Sequence, residues 1–257
     1  MRISTRTFEI PTSTGTKFSV NIHEDASIRA DNLYLETWGS SLVLARRLHS
    51  IEIPRIAKST SSCLAQCHHS QRINPQMCGP VLELGSGTGL VGLSAAAIWK
   101  TNVTLTDLSP VVPALNKNIM LNQDLLSSHG GSASSGALDW NHPSVLSLHL
   151  PGSNHQSQEL PAEDNKASVI LAADTVYDSS HPEILASVIK TWLKEGPASR
   201  VLIAYPVRVA YLDEIRELWE RIEGIGMELL EEGKEELPRK EWDDETSIEW
   251  CVWRWKR

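Results

Sequence analysis

The stretch VLELGSGTGLVG, Val81 to Gly92, holds the residue types and spacing that point most directly to chemistry. An apolar run enters a glycine-rich turn, and a second apolar run with helical character follows. Such a turn brings backbone N–H groups and a helix N-terminus against the anionic part of a nucleotide-like cofactor. Two frames overlap in it. Gly87-x-Gly89-x-x-Gly92 fits the dinucleotide fingerprint, and Glu83-x-Gly85-x-Gly87-x-Gly89 fits a loop for a nucleoside cofactor that carries a carboxylate.

The strand end separates the frames. A dinucleotide turn places its first glycine immediately after the strand. Here VLEL runs up to Gly85, so a frame beginning at Gly87 starts late. The other frame contains the strand's last residues, Glu83 included, and is the loop expected for S-adenosylmethionine. A side chain at Gly85 or Gly87 is expected to fill cofactor space. Asp107, at the end of NVTLTD and about 20 positions on, is placed to accept from both ribose hydroxyls. That disfavours a 2′-phosphorylated cofactor. The bland alternative is an empty turn kept for packing.

The elements that must position these residues follow from periodicity. PVLEL, NVTLTD, ASVILAAD and SRVLIAYPV read as strands, the third buried because it is apolar without alternation. GLVGLSAAAIWK, VVPALNKNIMLNQ, PEILASVIKTWLKEG and AYLDEIRELWERIEGIG read as the helices between and after them. ETWGSSLVLARRLHS is a further helix, with Leu42, Ala45 and Leu48 on one face. MELLEEG and TSIEWCVWRWKR form a closing hairpin, and TFEIPTSTGTKFSVNIHE a leading one. The expectation is an α/β, Rossmann-like, seven-stranded, mostly parallel sheet with helices on both faces. One antiparallel strand comes from the C-terminal hairpin, and the N-terminal β-hairpin (1–27) is an appendage. All 257 residues are expected to form one domain. SGALDW carries a strand end. Residues 54–79, 123–137 and 151–166 read as polar insertions or loops.

Composition narrows the classes. Net charge is −8 with no long Lys/Arg run, which argues against nucleic acid as a partner. No window approaches the roughly 20 apolar residues of a membrane span, and the N-terminus lacks a secretory apolar core. Four cysteines read as reduced cytosolic thiols. Cys63, Cys67, His68, His69 and Cys78 offer enough ligands for zinc, but their irregular spacing in aperiodic surroundings argues against a structural site, and no metal is expected.

LETWGSS, VLELGSGTGLVGL, LTDL, LDW and AADTVY occur in that order. Together they resemble the seven-strand methyltransferases of the lysine methyltransferase group called family 16. DNLYLETWGSS and SSHPE are most similar to its fungal elongation-factor branch, whose members usually carry a longer N-terminal region. The resemblance covers roughly residues 28–210 and implies roles by position. Trp38 would flank the cofactor. Glu83, Gly85, Ser86 and Gly87 would line its methionine side, Asp107 would hold the ribose, and Trp140 would pack near the adenine. Ala173 would leave room beside the cofactor. Asp174 to Tyr177 would be the acidic-x-x-aromatic motif at the substrate mouth. Each has a plain alternative: Trp38 and Trp140 as core tryptophans, Tyr177 as a core aromatic, Asp174 as a strand end.

The resemblance implies a monomeric cytoplasmic enzyme that methylates a lysine of a translation elongation factor, elongation factor 2 slightly ahead of elongation factor 1A. Asp174 would bind and orient the lysine, and Tyr177 would wall its channel. A small-molecule methyltransferase on the same fold, a non-catalytic interaction protein that retains the fold, and a dehydrogenase are the competing classes. The absence of extra lid helices and the glycine frame weigh against the first and the last.

Overall fold

The computed structural model describes residues 3–30, 33–54, 80–149, 157–242 and 246–257. The 54–79 insertion, from residue 55 on, and the Cys63–Cys78 group lie outside the described residues. So does 150–156.

A nine-stranded sheet forms the centre, in the order β11-β12-β10-β9-β4-β5-β6-β7-β8. The parallel part comprises β4 (Val81–Leu84), β5 (Asn102–Asp107), β6 (Ser132–Ala137), β9 (Val169–Ala173) and β10 (Arg200–Pro206). β12 (Ser247–Trp255) lies antiparallel to β10, and β11 (Met227–Glu236) antiparallel to β12. Six of these are expected strands, the C-terminal hairpin included; of the seventh, β6, the sequence shows only the end, in SGALDW. β7 (Val145–His149) and β8 (Ser157–Pro161) extend the sheet beyond β6 as an antiparallel pair.

Two stretches read as loops are ordered elements. Residues 123–137 contain a short helix, α4 (Gln123–His129), and all of β6; residues 151–166 contain β8. At Gly136 of β6 the glycine reflects close approach of the neighbouring strand. A Cβ on Gly136 would sit 2.8 Å from Leu146 Cδ1 and 2.9 Å from the Ser147 carbonyl oxygen. On Gly131, just before the strand, it would sit 2.1 Å from the carbonyl oxygen of Ala96. Larger, more strand-like residues do not fit there.

Strand alternation sorts the core. On one face Val81, Val169, Leu171, Leu202 and Trp250 pack beneath α1 (Gly39–Arg47), α2 (Leu90–Trp99) and α3 (Val112–Leu121). On the other Leu82, Leu84, Ile170, Val201 and Trp253 pack against α5 (His181–Trp192) and α6 (Leu212–Gly224). Glu83 shares the first face with Val81, so its side chain turns toward α2.

The N-terminal hairpin is present, with β1 (Ile3–Pro11) and β2 (Lys17–Ala30) joined by a short β3 (Leu33–Leu35). Phe8, Ile10, Phe18, Val20 and Ile22 are buried in the same core as α1 and α2. Asn118 of α3 and Asn122, which caps its C-terminal end, fasten the hairpin. Asn122 Oδ1 accepts from the Asn21 N–H at 2.9 Å and its amide donates to the Asn21 carbonyl at 2.7 Å. Asn118 does the same with His23, at 2.8 and 3.1 Å. The spacing explains the match: four helix residues rise about 6 Å, and two strand residues advance about 6.8 Å. No described helix is long and apolar enough to cross a membrane.

Candidate active site

β4, β5, β6 and β9 are parallel, and their carboxyl ends lie side by side. The chain runs outward from β4 to β5 on one side and returns to β9 on the other. That is the switch point where open α/β sheets bind ligands. A cleft of about 510 Å³ lies there. Nine of the ten residues singled out in the sequence line it: Trp38, Gly85, Ser86, Gly87, Asp107, Trp140, Ala173, Asp174 and Tyr177.

Glu83 does not line it. The residue is 2% exposed, and its carboxyl accepts from the Gly92 N–H at 3.1 Å beneath the glycine loop. Burial pushes its pKa up to about 8, because the ionised form is deprived of water there. Glu83 thus underpins the loop by holding the first turn of α2; the period-2 geometry that turns it toward α2 also turns it away from the cleft. Gly92 is the packing glycine, since a Cβ on it would fall 2.0 Å from Leu105 Cδ2.

The loop is held from both strands. Gly85, Gly87 and Gly89 have φ of +58°, +52° and +84°, a backbone region that L side chains adopt at a cost. The Ser86 N–H donates to the Thr106 carbonyl at 2.9 Å, and the Gly87 N–H to Asp107 Oδ2 at 2.7 Å. Asp107 Oδ1 accepts from the Leu108 N–H at 2.7 Å. A Cβ on Gly87 would meet no atom within 4 Å, so this residue faces open cleft space. On Gly85 it would meet Thr175 Cγ2 at 3.1 Å and Trp140 at 3.3 Å. Gly85 therefore lets Trp140 lie against the turn. Thr88 extends the support: its carbonyl accepts from Asn118 at 2.9 Å, and its hydroxyl lies 2.9 Å from that of Thr37.

The other pole of the cleft follows β9. Asp174 has φ +56°, a left-handed conformation that Asp tolerates better than most residues. Its N–H donates to the Ala204 carbonyl of β10 at 2.8 Å, which fixes the reversal. Arg208 grips its carboxylate with two bonds, Nη1 to Oδ1 at 2.8 Å and Nη2 to Oδ2 at 3.2 Å. The guanidinium carbon also lies 6.0 Å from the centre of the Trp38 ring. Tyr177 meets His181 edge-on at 4.4 Å, and His181 meets Trp140 at 6.1 Å. Thr175 Oγ1 is buried in the wall with no hydrogen-bond partner among the described residues.

Arg208 and His181 were not singled out in the sequence. His181 lies within the quoted SSHPE without a distinguishing pattern. Arg208 did carry a signal: β10 runs parallel to β9 with Ala204 opposite Ala173, so a cation just past the end of β10 can reach Asp174. Tyr34 and Glu36, which β3 delivers to the lip, were also missed.

The model of the lysine methyltransferase family matches residues 36–217, which span the glycine loop, Asp107 and Asp174. The chain belongs to the lysine methyltransferase family. It is similar to the protein-lysine N-methyltransferase EFM2 of Saccharomyces cerevisiae, 32% identical over 210 residues, which cover 76% of this chain and 42% of that protein. It is 28% identical over 235 residues to the protein-lysine N-methyltransferase rrg1 of Schizosaccharomyces pombe, covering 88% and 63%. It is 33% identical over 149 residues to the calmodulin-lysine N-methyltransferase of Arabidopsis thaliana, covering 57% and 42%. The chain thus spans between two fifths and two thirds of the length of these lysine methyltransferases. The cofactor of the family is S-adenosylmethionine, and the cleft suits it, with open space over Gly87, an acid at the tip of β5 and an aromatic face at Trp140.

Proposed function

We propose that this lysine methyltransferase family member is an S-adenosylmethionine-dependent protein-lysine N-methyltransferase whose substrate is a translation elongation factor, elongation factor 2 ahead of elongation factor 1A. One observation carries the reading. A single cleft joins the Gly85–Gly87 and Asp107 pole to the Asp174 and Tyr177 pole. In this reading Asp107 takes the ribose hydroxyls, and the Gly85–Gly87 backbone takes the methionine end. Trp140 lies against the adenine, and Ala173, ending β9 between the poles, leaves room for the sulfonium. The whole chain works as one domain, as a cytoplasmic monomer, and its net charge of −8 suits a basic partner protein.

When bound, S-adenosylmethionine supplies an already activated methyl group, so the protein's task is to bring a neutral amine into line with it. A lysine with its ordinary pKa near 10.4 is protonated at pH 7, and neutralising it costs about 4–5 kcal/mol. Tyr177, braced edge-on by His181, forms an aromatic wall that holds the side chain and attracts the amine while it is charged. Asp174 aligns the amine. A carboxylate accepts about four hydrogen bonds, so the two from Arg208 do not by themselves exhaust it. The proton leaves to water.

The resemblance around DNLYLETWGSS and AADTVYDSSHPE supports the elongation-factor assignment. The test is transfer of label from S-adenosylmethionine to unmethylated elongation factors 2 and 1A, each purified and incubated with the protein. Methyl-lysine in either factor supports the reading. Label on another protein alone refutes the factor, and label on small amines alone refutes the protein substrate.

A further inference from the structure

The cleft presents an electrostatic problem to the reaction proposed for it. Its lining includes the carboxylates Glu36, Asp107, Asp139, Asp174 and Asp178, and no lysine or arginine among the described residues. The other titratable groups facing it are the phenols of Tyr34 and Tyr177 and the imidazole of His181. Glu249, on β12, is paired in register with Tyr205 of β10 and is not part of the lining. An acid-lined channel attracts a lysine but also keeps it protonated. A protonated lysine has no lone pair to give.

Arg208 answers that problem from behind the lining. It approaches Asp174 from the segment after β10, pairs with both oxygens, and is itself only 18% exposed. The guanidinium stays charged throughout the accessible pH range. Trp38, at the start of α1, lies beside it, with the guanidinium carbon 6.0 Å from the ring centre. The pair is planar and two-pronged, a geometry that an ammonium does not reproduce.

We propose that Arg208 is a charge-compensating positioning residue of the lysine site, which pairs with Asp174 so that the acid can align the acceptor amine without holding it in its protonated form. The inference rests on the lysine methyltransferase reading. Asp174 then supplies direction and Arg208 removes most of its net field. The amine loses its proton to water at lower pH than it would beside a bare carboxylate.

The experiment is the pH dependence of kcat for the full chain at saturating acceptor, which reads the ionisation of the bound amine. The acceptor is the unmethylated protein that the wild type labels in an extract of cells lacking the enzyme, purified for the assay. The rate rises with pH as the amine deprotonates. In R208Q this rise is expected about one pH unit or more higher, with roughly tenfold less activity at pH 7, near-wild-type activity at high pH, and a KM that does not increase. R208K, with a point charge instead of a fork, is expected to lie between the two. D174N is expected to move the rise to lower pH while reducing turnover, because Arg208 is then uncompensated. The double variant is expected to return the rise toward its wild-type position.

A uniform loss in R208Q with the rise unmoved would overturn the proposal in favour of a packing role. Faster turnover of R208Q at pH 7 would overturn it in favour of a plug that the lysine displaces. If R208Q does not fold, R208K and D174N decide in the same way, and two unmoved profiles refute the proposal. If the wild type forms no methyl-lysine in the extract, the underlying reading fails and the inference falls with it. A flat comparison with lysine labelling intact refutes the inference alone.

Discussion

Glu83 Oε2 accepts the backbone N–H of Gly92 at 3.1 Å, so the end of β4 and the first turn of α2 are joined beneath the glycine loop by a buried carboxyl. Burial raises its pKa from near 4.5 to about 8. The folded protein therefore binds this proton more tightly than the unfolded chain. The resulting stability is fully present below about pH 4.5 and is lost as pH rises through 8. Glu83→Gln keeps an acceptor for Gly92 and removes the ionisation. The stability of the variant relative to wild type should rise between pH 5 and pH 8 by on the order of a few kcal/mol. Urea unfolding at the two pH values measures it, and an equal difference at both would contradict the burial argument.

Asp107 has a double duty in this account, because the oxygen proposed to face ribose belongs to the carboxylate that anchors the Gly87 N–H at 2.7 Å. Asp107→Ala should weaken S-adenosylmethionine binding by roughly 1–3 kcal/mol. Calorimetry on the variant and on wild type reads this directly. NAD, run as the control, should not bind to either. Unchanged cofactor affinity in the variant would remove Asp107 from the cofactor site.

The Asn118 amide couples the N-terminal sheet to the glycine loop through the His23 and Thr88 carbonyls. Asn118→Leu leaves the buried Thr88 carbonyl and the partly buried His23 carbonyl without this partner at similar volume. The melting temperature should fall, with a loss of about 2–4 kcal/mol, and cofactor affinity should weaken with it through Thr88. A variant as stable as wild type would mean that the apolar contacts of Phe8, Ile10 and Val20 carry the docking alone.

Tyr177 lies edge-on to His181 at 4.4 Å, so its effect should come from the ring. Tyr177→Phe should retain most turnover, and Tyr177→Ala should lose about tenfold or more, the scale of an aromatic contact of 0.5–1.5 kcal/mol together with lost alignment. Steady-state kinetics on the labelled protein compares them. Equal losses in both variants would shift the role to the hydroxyl.

Much of this was legible because local patterns carried it. The apolar runs at β4, β5, β9 and β10 read as strands without reference to anything distant. The glycine frame, Asp107 and Asp174 stand at strand ends, where the parallel topology collects them. What escaped depended on partners far along the chain. Arg208 matters through Asp174, which only the β9–β10 pairing brings near. Asn118 and Asn122 look like ordinary polar helix positions until β2 lies across them. β6, with the sequence SASSGA, hides its strand character because it carries no large apolar residue, and at Gly136 the neighbouring β7 leaves no room for one. Glu83 reads in the sequence as a residue lining the methionine side of the cofactor, but strand alternation turns its side chain away from the cleft and onto Gly92.

The most direct test sets wild type and Asp174→Ala side by side. Each is incubated with labelled S-adenosylmethionine and protein extract from cells lacking the enzyme, and the labelled protein is hydrolysed for amino-acid analysis. Wild type should form methyl-lysine and Asp174→Ala should lose most of it, while the variant binds the cofactor within a few fold of wild type. Methyl-lysine formed equally by both, or by neither, would contradict this.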